Sequence, residues 1–196
     1  MPRVLPLVFT LPLALAAASC SDPPPTPAAV GVSISLGPPN KDLPGLGSRS
    51  CTAGTSSGFT YTLGQPTVGH TIEDGKSGVT AECIVRANGS FNGSGSGIDP
   101  NRHVPISFTF AGTVHDKAAP AGNPGSMQFF SPDTTSLTTL DGFPGCTIGP
   151  VVTLKKGAIL TDIDCPLIGG IDDTTSGCQV HGTIAFEYCK TGEEQN

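Results

Sequence analysis

Hydrophobic and polar residues alternate with a period of two in segment after segment of this chain. Val30, Val32, Ile34 and Leu36 alternate with Gly31, Ser33 and Ser35. Phe59, Tyr61 and Leu63 alternate with Thr60, Thr62 and Gly64. Val79, Ala81, Cys83 and Val85 interleave with Thr80, Glu82, Ile84 and Arg86, and Ile106, Phe108 and Phe110 with Ser107, Thr109 and Ala111. A bulge is expected at Gly112, before Val114. Near the C-terminus Val180, Ile184, Phe186 and Tyr188 alternate with His181, Thr183 and Glu187. Successive side chains of a strand point to opposite faces, so this period marks sheets with one buried face. No segment carries a 3.6-residue stripe. The pattern predicts an all-β fold, an antiparallel β-sandwich of about seven to nine strands. A β-barrel is the alternative.

Turn and linker signals divide the chain. Asp22-Pro23-Pro24-Pro25-Thr26-Pro27 cannot enter a helix or a sheet ladder and is expected as polyproline II. Residues 20–47 are expected to be a tether, interrupted by one strand at Val30–Leu36 that Gly37-Pro38-Pro39 ends. The sandwich domain is expected over residues 48–196. Gly89–Gly97 reads as a flexible loop or a glycine-rich connection between strands, and Lys117–Gly125 as a second loop. Lys155-Lys156-Gly157 reads as a turn with Gly157 left-handed, joining Val151–Leu154 to Ala158–Ile163. Pairing Leu154 with Ala158 sets Cys146 opposite residue 166, one step from Cys165. Slippage at Gly149-Pro150 absorbs that step, so Cys146–Cys165 is the favoured disulfide. Cys178 and Cys189 flank one strand of about 36 Å, beyond the roughly 7 Å reach of a disulfide. They are expected to pair with Cys51 and Cys83, in an order the spacing leaves open.

The first residues bear on location. Arg3 precedes an uncharged apolar run, Val4–Leu15, and the small residues Ala16-Ala17-Ala18-Ser19 lead to Cys20. This is the organisation of a secretory signal peptide over residues 1–19. The run is short of the roughly 20 residues that span a bilayer. Leu15 through Cys20 resembles the lipobox of bacterial lipoproteins, with Ala17 where leucine is commonest. The resemblance covers only the N-terminus. It implies that Cys20 is acylated and becomes the first residue of a membrane-anchored protein of the cell envelope. Ser21 after the cysteine implies outer-membrane placement. The alternative is cleavage after Ala16-Ala17-Ala18 and a secreted or periplasmic soluble protein. Seven cysteines fit the lipid reading: acylation of Cys20 leaves six for three disulfides in an oxidising compartment.

Composition narrows the rest. The 26 glycines and 19 prolines make up about 23% of 196 residues, nearly twice the usual share of about 12%, which excludes an all-α fold. Charged residues are 13% and the mean hydropathy is +0.05, which argues against global disorder. The net charge of −6 and the lack of a basic cluster beyond Lys155-Lys156 argue against nucleic acid as a partner. The chain has no tryptophan and two tyrosines, and that scarcity argues against stacked sugars or bases.

The candidates for chemistry are few. Gly54-Thr55-Ser56-Ser57-Gly58 matches a nucleophile elbow by letter but lacks the strand-before, helix-after context. His70, His103, His115 and His181 form no ligand-spaced pair. Asp162 and Asp164 point the same way on a strand and, with Asp172 and Asp173, are weak candidates for calcium. The two could also serve as glycosidase acid and base. Asn88-Gly89-Ser90 and Asn92-Gly93-Ser94 match the glycosylation sequon. No cofactor is expected. The functional expectation is an envelope lipoprotein with a structural or binding role toward an envelope protein or glycan. The alternative is a small hydrolase or metal-dependent enzyme whose residues meet only in space.

Overall fold

The computed structural model describes residues 25–51, 59–113, 122–149, 153–155, 157–170 and 175–192. The fold is a β-sandwich. Its strands are β1 (Ala29–Gly37), β2 (Phe59–Leu63), β3 (Ile72–Glu73), β4 (Thr80–Arg86), β5 (Ser90–Ile98), β6 (Pro105–Thr113) and β7 (Asn123–Ser131), then β8 (Thr135–Thr139), β9 (Cys146–Ile148), β10 (Thr153–Lys155), β11 (Ala158–Gly169), β12 (Gly177–Glu187) and β13 (Lys190–Gly192). The hydrogen-bonded order is β13-β4-β5-β6-β7-β8-β11-β12-β1-β2, an open path rather than a closed barrel. Among the described residues every strand pair is antiparallel except β13 with β4. The thirteen strands among the described residues exceed the seven to nine expected because β3, β9, β10 and β13 have only two or three residues, too few to show an alternation.

One layer is β4 to β8 and the other is β11, β12, β1 and β2. Alternate residues of each turn inward and form one core. Its largest fully buried side chains include Tyr61, Phe91, Phe110, Phe129 and Phe186. Tilted ring pairs Phe91–Phe110 and Tyr61–Phe129, with centroids 5.1 and 5.0 Å apart, fill it. Burying each such side chain stabilises the fold by about 1.5–3 kcal/mol.

Two expectations about segments are corrected. Gly89–Gly97 is mostly a central strand, β5, paired along its length with β4 and β6. Its inward positions are Phe91, Gly93, Gly95 and Gly97. A Cβ at Gly93 would lie 2.5 Å from the Phe186 ring, and one at Gly97 2.6 Å from Leu63. The opposite layer occupies the space that side chains of β5 would otherwise fill, so glycine is required there. The tether is shorter than expected. β1 lies between β12 and β2, and Val30, Val32, Ile34 and Leu36 are at most 1% exposed, so the folded domain begins near Ala28 rather than at residue 48.

Three local details also differ. The β6 registers with β5 and β7 run through Gly112 without a break, so the bulge is absent there, and Val114 lies outside the described residues. The loop expected to end at Gly125 ends before β7, which starts at Asn123. β12 ends at Glu187. Tyr188 takes φ 57° and is 53% exposed, where the chain leaves β12 for β13.

The disulfides are Cys51–Cys178, Cys83–Cys189 and Cys146–Cys165. Cys83–Cys189 ties β4 to the β12–β13 crossing. Cys146 and Cys165 face each other because β9 pairs Thr147 with Asp164. The β10–β11 hairpin pairs Leu154 with Ile159 instead of Ala158, and Gly157 takes φ 85°. Two residues of slip between β9 and β10 restore the cysteines to opposite positions.

Candidate functional site

The outward residues of β4 to β8 form three rows across the layer. The first row is Thr80, Ser96, Ser107, Phe130 and Ser136. The second is Glu82, Ser94, Thr109, Gln128 and Thr138. The third is Ile84, Asn92, Ala111 and Ser126. None of these fourteen residues is buried. Ten carry hydroxyl or carboxamide groups and one, Glu82, is charged. Strand spacing makes the array about 19 by 14 Å. Thr80 and Ser96 hydroxyls lie 2.7 Å apart, and Thr109 donates to Gln128 Oε1 at 3.4 Å. Grooves of about 280 and 360 Å³ cross this face, one between Ser96 and Phe130 and one between Asn92 and Gln128. Beyond the first row, Ile98 and Pro105 face outward as a pair. Ile98 is 53% and Phe130 44% exposed, so an apolar corner borders the hydroxyl rows.

The outer face of the other layer carries the acidic candidates. Asp164 faces His181, and Nδ1 of the histidine lies 3.2 Å from Oδ1 of the aspartate. Asp162 faces Thr183, whose hydroxyl donates to Oδ1 at 2.7 Å. Each carboxylate thus has a cross-strand partner. Asp172 and Asp173 lie outside the described residues, as do His115, Gly54–Ser57 and Cys20. His70 stands in the β2–β3 loop, and His103 in the β5–β6 turn at φ 56°. Of the candidates the structure brings His181 to Asp164 as a pair, and no third His, Cys, Asp or Glu among the described residues completes a cluster with them. No group of three His, Cys, Asp or Glu among the described residues is placed to hold a metal ion. Asn88 Oδ1 accepts from Ser90 N–H at 2.9 Å in the β4–β5 turn, and Asn92 Oδ1 accepts from Arg86 Nη1 at 3.1 Å.

A partly buried polar cluster at one end was not visible in the sequence. Asp99, fully buried, accepts from the backbone N–H groups of Asn101 and Arg102 at 2.7 Å and of Thr62 at 2.5 Å. It anchors the β5–β6 turn to the edge strand β2. Arg102 donates to Asp133 Oδ2 at 2.8 Å and lies 4.0 Å over the Phe59 ring. The Asp133 hydrogen bond holds its guanidinium above the usual value. Tyr61 donates to the same Asp133 oxygen at 3.3 Å and accepts from Ser131 at 3.2 Å. Burial is the main cause that pushes its hydroxyl up, and the Asp133 charge adds to it. Ser131 and Thr134 are fully buried, so the cluster is a bracket between layers. Its signal in the sequence was turn chemistry, Asp99-Pro100-Asn101 and Ser131-Pro132-Asp133, which marks a loop and not its contacts.

Compared with known protein families, curated proteins and solved structures, the chain matches none.

Proposed function

We propose that this chain is a cell-envelope lipoprotein: exported, acylated on Cys20, and held at a membrane, the outer one, with the sandwich in a binding or structural role. The observation that carries the reading is the cysteine pairing. Three bridges use Cys51, Cys83, Cys146, Cys165, Cys178 and Cys189, so Cys20 is the single cysteine left without an intrachain bridge. Buried disulfides belong to an oxidising compartment, and a lone cysteine behind a signal-like run suits an acyl acceptor. The position of β1 leaves eight residues between Cys20 and Ala29, about 25 Å as polyproline II. The sandwich would therefore ride close to the bilayer.

Metabolic labelling with a radioactive fatty acid tests this. The wild-type chain is expected to take up label and partition with membranes, and Cys20→Ala to lose both. Equal labelling of Cys20→Ala, or an unlabelled wild type in the soluble fraction, would replace the anchor with plain secretion.

A further inference from the structure

We infer that the outer face of the β4–β8 layer binds a neutral, hydroxyl-rich polysaccharide, an inference that rests on the envelope-binding reading above and names its ligand class. The face is polar and sparsely charged. Within the rows the one charged position is Glu82 on β4; Arg86, one row farther along, is hydrogen-bonded to Asn92, and Lys190 of β13 pairs with Ile84 at that edge. An anionic polymer or a nucleic acid would find no row of cations there. A protein partner would favour an apolar, aromatic centre, and the rows offer only Phe130, Ile84 and Ala111. A bilayer would favour contiguous apolar or basic surface, which the rows also lack.

A sugar chain fits both halves of the surface. Hydroxyls and carboxamides each donate and accept, as sugar hydroxyls do, so neither partner needs a fixed polarity. Sugar rings also have C–H faces, which pack on exposed apolar surface, and the Ile98–Pro105–Phe130 corner supplies it beside the hydroxyl rows. The scarcity of tryptophan and tyrosine argued against sugar binding from composition. The fold answers that argument by collecting two of the four exposed large hydrophobics among the described residues, Ile98 and Phe130, on this one face. Contacts spread over a flat array are individually weak and accumulate with ligand length.

Calorimetry on the full chain tests the inference, with cellohexaose, chitohexaose and dextran as neutral probes and dextran sulfate as the charged one. At least one neutral chain is expected to bind more tightly than its disaccharide. Thr109→Arg and Phe130→Ala are expected to weaken it at least tenfold, and Thr60→Arg on the other layer to leave it unchanged. In the wild type, amide shifts on titration must fall on β5, β6 and β7, a readout independent of any variant's folding. No binding of any neutral probe at millimolar concentration, equal binding of dextran sulfate, or shifts confined to β11 and β12 would overturn the inference. So would a wild-type dimer that Thr109→Arg dissociates, which would make the face a contact between copies. Fatty-acid labelling of the wild type, set beside the titration on Cys20→Ala, separates the two readings: sugar binding with an unlabelled wild type removes the anchor alone, and a labelled wild type without sugar binding removes this inference alone.

Discussion

On the outer face of β4–β8 the rows of hydroxyls lie open, whereas half of the outer face of β11–β12–β1–β2 is covered. Over the covered half, residues 64–71 fold back across Gly31, Ala185 and Glu187. Ala185 is fully buried and Glu187 is 8% exposed, although both point away from the core. The backbone carbonyl of Gln65 lies so close to Gly31 that a Cβ there would stand 1.9 Å from it. Glu187 then accepts from Gly69 N–H at 2.9 Å and from the Thr71 hydroxyl. The uncovered half keeps its charges, paired as Asp164–His181 and Asp162–Thr183. Covering a sheet face thus takes a missing side chain and an acceptor aimed at the loop. The β4–β8 face has glycines too, but they point inward, toward Phe186, Phe108 and Leu63. The same residue type serves opposite sides of the two layers, and that leaves one outer face bare.

Gly31→Ala should break this difference most severely. The obstructing atoms are backbone, so neither rotamer change nor a small shift relieves the clash. Overpacking of this kind costs about 3 kcal/mol, roughly 10 °C in melting temperature for a chain of this size. Gly37→Ala, on the same strand with nothing within 4 Å, should stay within about 0.5 kcal/mol. Thermal denaturation followed by circular dichroism checks both, and a Gly31→Ala protein as stable as Gly37→Ala would show that the loop does not lie on β1.

Glu187→Ala should uncover the face more gently. It removes a carboxylate acceptor from two donors, worth about 2 kcal/mol together after the donors regain water. Hydrogen exchange should speed up at Gly69, while the amides of β6 stay protected. Unchanged exchange at Gly69 would mean that Gln65 alone holds the loop.

What was legible in the sequence divides along the same line. Strands whose inward residues are large and outward residues polar, such as β1, β2, β4 and β6, were plain in the alternation. β5 was not, because its inward glycines and outward serines differ too little in hydropathy to show a period. What requires glycine at position 93 is Phe186, nearly a hundred residues away, and at 97 it is Leu63 of the other layer. The Cys146–Cys165 bridge could be reached by hairpin counting because it is local, even though the register was off by one and a compensating slip lies between β9 and β10. The hydroxyl face stayed hidden for the reason β5 did: rows across five strands exist only once all five are known to be strands. The Asp99 and Glu187 anchors join residues 37 and 118 positions apart, and no spacing rule reaches that far.

The smallest effect concerns the bracket that joins the two layers, and it depends on pH. Tyr61 belongs to β2, while its partners Asp133 and Ser131 come from the β7–β8 end of the bare layer. Burial raises the Tyr61 pKa above that of an unfolded tyrosine, about 10. The native state therefore holds the phenolic proton more tightly than the unfolded state does. The resulting stability is complete below about pH 10 and drains away as pH rises from there through the raised native value. Tyr61→Phe removes this linkage along with the hydrogen bond to Asp133. It should cost about 1 kcal/mol at neutral pH, and the deficit should narrow as pH climbs past 10. Urea midpoints for both proteins between pH 7 and 11 give the difference directly, which cancels the lysines that titrate in the same range. A deficit that stayed constant or widened with pH would mean that Tyr61 ionises as readily folded as unfolded, and that the bracket is open to water.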